Sequence, residues 1–89
     1  MLTTKLTDFT SKELQSLLNA VYLRLLDCRM FISSAKEVYE KSGASDYVAF
    51  LEFQDIKSKV EEIESLELWR TQILNAIGIV GVTEQIRNN

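Results

Sequence analysis

From Leu14 onward the apolar residues recur at alternating steps of four and three: Leu14, Leu18, Val21, Leu25, Cys28, Ile32, Ala35 and Tyr39. A seam with this 3.5-residue period predicts one long helix over about 11–41, packed lengthwise on a partner helix. Its start is marked twice. Thr10 and Glu13 have the spacing of a capping box, and Phe9 and Leu14 that of a hydrophobic staple. Gly43 marks the end, because it tolerates the left-handed conformation that closes helices. A helix of that length is a rod of roughly 45 Å.

A second apolar pattern runs through Ala49, Phe53, Ile56, Val60, Ile63, Leu66, Trp69, Ile73 and Ile77, predicting a helix over about 46–77. Residues 42–45, Ser-Gly-Ala-Ser, are the connection, with Ser45 or Asp46 as the next cap. So short a loop makes the two helices antiparallel neighbours. Folding the chain at residues 43–44 pairs Ala35 with Phe53, Ile32 with Ile56, Cys28 with Val60 and Leu25 with Ile63, residue numbers that sum to 88 each time. Val21 with Leu66, Leu18 with Trp69 and Leu14 with Ile73 sum to 87. Two separately read patterns thus agree on one register. The expected fold is all-α: a long antiparallel two-helix hairpin with a short C-terminal segment.

The first helix carries more apolar surface than one partner can cover. Leu23, Leu26 and Met30 lie opposite the seam, with Tyr22 and Phe31 beside them. The second helix is narrowest there, since Asp55, Lys57, Lys59, Glu61, Glu62 and Glu64 leave a stripe one residue wide. Two covers are possible. In the first, an antiparallel copy related by a two-fold axis near Leu26 sets Leu23 against Met30 and Leu26 against itself, building a four-helix or larger bundle. In the second, residues 79–88 fold back over the stripe. The oligomer is the expectation, with Leu23, Leu26, Met30, Tyr22 and Phe31 as the oligomer or partner interface.

Residues 1–9 read as a short arm whose Leu2, Leu6 and Phe9 pack on the bundle end. Residues 78–89 read as a docking tail: Gly78 would close the second helix, Ile79 pack back on Leu74, and Thr83 cap a last turn. All of residues 1–89 form a single domain.

Composition narrows the chemistry. The chain has 89 residues, no proline, no histidine, one cysteine and a net charge of −3. The absence of histidine weakens the case for imidazole bases, triads and most zinc sites, and leaves no Glu-x-x-His di-metal motif. The expectation is a protein that is not an enzyme and has no catalytic residues, no metal site and no cofactor. Cys28, in the seam, reads as a small buried hydrophobe. Ten basic residues scattered among thirteen acidic ones make no basic stripe, which argues against direct nucleic-acid binding and against attachment to anionic membrane. The acidic group Glu61, Glu62, Glu64 and Glu67 reads first as a solvated face. No apolar run reaches membrane-spanning length, and MLTTKLTDFT lacks a signal-peptide core, so the expected compartment is the cytoplasm, or a host cytoplasm for a phage-encoded chain.

Neither the proline-rich turn of secretion-system needle subunits nor the Trp-x-Gly turn of secreted hairpins is present. Size and class associate the chain with small acidic helical regulators and assembly factors, such as those phages encode. The leading expectation is a non-enzymatic interaction protein: a homo-oligomer that binds, inhibits or chaperones a protein partner. The runner-up is a small-ligand (nucleotide-like) binder or sponge with a pocket between helices or subunits, using Tyr22, Arg24, Arg29 and Tyr39, where guanidinium beside aromatic suits a phosphate-bearing base.

Overall fold

A computed structural model describes residues 5–87. Leu2, expected in the packed arm, lies outside them. The order is a 3-10 turn at Leu6–Asp8, then α1 (Ser11–Lys41), α2 (Tyr47–Glu52) and α3 (Gln54–Arg87). The all-α hairpin is as expected: α1 and α3 are antiparallel and pack along their length, making a flat rod of 63 × 28 × 15 Å.

Local chemistry sets the ends of α1. Thr10 Oγ1 accepts from Glu13 N at 3.1 Å, and Thr10 N donates to Glu13 Oε1 at 3.0 Å. Two helix-start donors are satisfied without tertiary help. At the far end Gly43 has φ 88°, the left-handed conformation a side chain would strain. Asp46 then caps α2, accepting from Ala49 N at 3.1 Å.

The register agrees with the paired sequence patterns. Leu14 and Ile73 belong to one buried cluster with Ala76 and Val80. Midway along the rod Glu62 bonds to both Arg24 and Cys28, which sets it level with about residue 26, where a constant sum of 88 puts it.

Two boundaries differ from expectation. The helix expected over 46–77 breaks at Phe53, whose backbone is extended at φ −60°, ψ 132°. The break resets the helical phase. Phe50, not Phe53, becomes the buried ring, at 2% exposure against 53%. Both still reach Tyr39, with ring centroids 5.4 and 5.8 Å away. Trp69, expected against Leu18, is half exposed, while Ala76 takes a core position.

The second difference is at Gly78, which does not close the helix. Neither Gly78 nor Gly81 has positive φ, and α3 runs through both to Arg87. Glycine in a helix costs roughly 1 kcal/mol relative to alanine. Here that is opposed by burial of Ala76 and Val80 against Leu14, with Leu6, Phe9, Leu18, Val21 and Ile77 packed around them. Glu84 adds a tie: it accepts from Ser11 N at 3.1 Å and from Ser11 Oγ at 2.8 Å. Thr83 is no cap; its hydroxyl donates to the Ile79 carbonyl one turn back. Leu74 and Ile79 are both exposed, so Ile79 does not pack back. The segment read as a tail is the last turns of α3, and it docks on the start of α1.

Candidate functional site

The back of α1 is the first candidate. At about 100° per residue, Leu23, Leu26 and Met30 sit on the side of α1 pointing away from α3. Leu23 is 60% exposed, Leu26 44% and Met30 58%. Tyr22 and Phe31 are exposed on the two flanks of the same helix. The fold-back cover is excluded, because residues 79–87 continue α3 in line and reach the start of α1 instead.

Continuing the four-three steps outward from the apolar trio gives Ser16, Asn19, Ser33 and Glu37, all exposed.

Arg24 and Arg29, which the nucleotide reading would use, are engaged across the helix interface. Arg24 donates to Glu62 through Nε at 2.5 Å and Nη2 at 2.9 Å. Arg29 Nη2 donates to Glu67 at 2.7 Å. Five residues apart is about 140° round α1, so the two pairs flank the seam on opposite sides. Both are largely solvated and contribute modestly to stability. They hold two of the four carboxylates of the acidic group.

Glu62 is the electrostatic centre of the rod. Hydrogen bonds from Arg24, then from Cys28, hold its carboxyl down from 4.5 to about 2. The Cys28 thiol donates to Glu62 Oε2 at 2.9 Å. Burial first, and the bond to Glu62 second, push that thiol's pKa up. It is therefore a protonated core group: Arg24 and Lys59 pull its pKa down, but burial and the Glu62 carboxylate outweigh them.

Tyr39 sits at the hairpin tip, away from both arginines, and donates its hydroxyl to the Asp46 carbonyl at 3.1 Å. The four proposed ligand residues are thus not one site. Tyr39 instead separates two open hollows. One, of about 400 Å³, includes Lys36, Tyr39, Tyr47 and Phe50 in its walls. The other, of about 350 Å³, is apolar and includes Phe31, Ala35, Val38, Phe53 and Ile56. Sequence reasoning missed this tip because it depends on the break at Phe53, which no proline or glycine announces.

It also missed a seam on the outer face of α3. Leu68, Gln72, Asn75, Ile79, Val82 and Ile86 follow four-three steps, and all are exposed. The signal was in the sequence, but reading Gly78 as a stop cut it in half. Comparison with family models, with curated proteins and with solved structures finds no match.

Proposed function

We propose that this chain is a non-enzymatic helical interaction protein that self-associates across the back of α1 and acts by binding a protein partner. The observation that carries the reading is the exposed Leu23–Leu26–Met30 face, which no other part of the described chain covers. A two-helix rod with so small a core is marginal alone, and contact with a copy supplies the missing burial. The face points directly away from α3, so pairing sets four helices side by side in one layer rather than in a square bundle. The hairpin tip, with its aromatic walls and exposed Val38 and Phe53, then stays free for the partner.

Light scattering on the purified protein tests the self-association. The expected mass is at least twice the 10.2 kDa of one chain, and Leu26→Glu lowers it. A wild-type monomer, or a mass indifferent to Leu26→Glu, overturns the reading. A small-ligand function has one observation in its favour, the hollow at Lys36, Tyr39 and Tyr47. Thermal stabilisation by nucleotides that Lys36→Ala abolishes is the result that would move the reading there.

A further inference from the structure

We infer that residues 78–87 are a latch: the last turns of α3 undock from the start of α1 and melt as one unit while the rest of the rod stays folded. Gly78 and Gly81 are its weak joint, and the bond of Glu84 to Ser11 is its catch. The segment is held by little. Before Gly78, α3 buries Ile73 at 1% exposure and Ala76 at 4%. Beyond it, among the described residues, only Val80 is buried, while Ile79, Val82 and Ile86 are 58%, 58% and 69% exposed. A hollow of about 180 Å³, with Thr7, Phe9, Ile79 and Thr83 among its walls, lies between the segment and the start of the chain. That interface is therefore not closely packed.

The glycines weaken the helix without serving its packing. Neither has positive φ, and a Cβ on either would meet nothing within 4 Å. Alanine would fit both positions and hold the helix better. Gly43 is different, since its φ of 88° itself calls for glycine. Off α1, a segment this short, with glycines at its first and fourth positions, has no burial left to offset them and loses its helix.

The catch is a single side chain. Glu84 accepts from Ser11 N at 3.1 Å and from Ser11 Oγ at 2.8 Å. Ser11 is the first residue of α1, so its N–H has no acceptor within the helix. Thr10 cannot serve it, because its hydroxyl already takes Glu13 N. A carboxylate from the far end of the chain thus caps α1, at the helix end where negative charge is favoured. Release of Glu84 gives the Ser11 donor back to water and frees the chain beyond Val80. Val80 then leaves the cluster that closes over Leu14, so the open rod presents an apolar surface at the start of α1 that the closed rod hides.

Amide hydrogen exchange on the full chain, read residue by residue by NMR, tests the latch. In wild type the amides of residues 82–87 should share one protection factor, well below that of residues 60–73. Gly78→Ala and Gly81→Ala should each raise that shared protection about fivefold, the factor to which glycine's helical cost converts. Glu84→Gln, with similar helix propensity, should lower it and leave residues 60–73 unchanged. Protection of residues 82–87 equal to that of 60–73 would mean that the segment opens only with the whole rod, and overturns the latch. Protection that declines stepwise toward residue 87, and that Gly78→Ala leaves unchanged at residues 84–87, is simple end fraying and overturns it as well. Indifference of residues 82–87 to Glu84→Gln overturns the catch.

Discussion

Glu62 shows how much one residue can join. It receives the Arg24 guanidinium and the Cys28 thiol, and so ties the exposed edge of the rod to its core. Because its folded pKa lies below its ordinary value, its contribution to stability is complete above about pH 4.5 and is lost as pH falls toward 2. Glu84, lowered by its bonds from the Ser11 backbone and then hydroxyl, acts in the same direction. Urea midpoints should fall between pH 6 and pH 2 for wild type, and fall by less for Glu62→Gln. Cys28 responds oppositely, since its raised pKa keeps it a neutral thiol through the physiological range. Native protein should react with a maleimide at least about tenfold more slowly than urea-unfolded chain. Equal rates would show that Cys28 is accessible and that its burial is transient.

The elements are decided by a contest between local signals and burial. At Thr10 and Asp46 the cap residues and the observed caps coincide, because capping is a contact over three residues that needs no distant partner. At Phe53 and Gly78 burial prevails. The break after α2 is a way of burying Phe50 beneath Tyr39 while Phe53 stays at the surface. Phe50→Ala should therefore cost about 3–5 kcal/mol, as core phenylalanines do, and Phe53→Ala less than half of that. Equal losses in chemical denaturation would mean that α2 continues unbroken into α3.

As a whole the molecule is a ribbon with a thin core and two apolar edges. Leu14, Leu25 and Ile73 are essentially inaccessible, so Leu25→Ala should cost about 2–5 kcal/mol by leaving a cavity. Such a core has little stability in reserve, and association should supply much of it. Mass action then makes the melting temperature rise with protein concentration. Differential scanning fluorimetry across a hundredfold dilution checks this, and Leu26→Glu should flatten the dependence. A melting temperature independent of concentration would mean that the ribbon is stable as one chain.

Periodicity, caps and the turn at Gly43 sufficed to determine two long helices, their antiparallel order and their register. Each depends on residues close in sequence, or on two patterns that must match along a shared seam. The surplus of Leu23, Leu26 and Met30 was legible for the same reason: it is a property of one helix. Three things had to wait for the tertiary structure. Where α3 ends depends on whether the start of α1 offers enough burial to outweigh two helical glycines, a comparison between segments about 65 residues apart. Which phenylalanine is core depends on a backbone break at Phe53 and on Tyr39 of another helix, which both rings contact. Whether Arg24 and Arg29 are free for a ligand depends on carboxylates 38 residues away. Each outcome is set by competition for burial or for a charge partner between distant segments, and a local pattern does not contain the competitor.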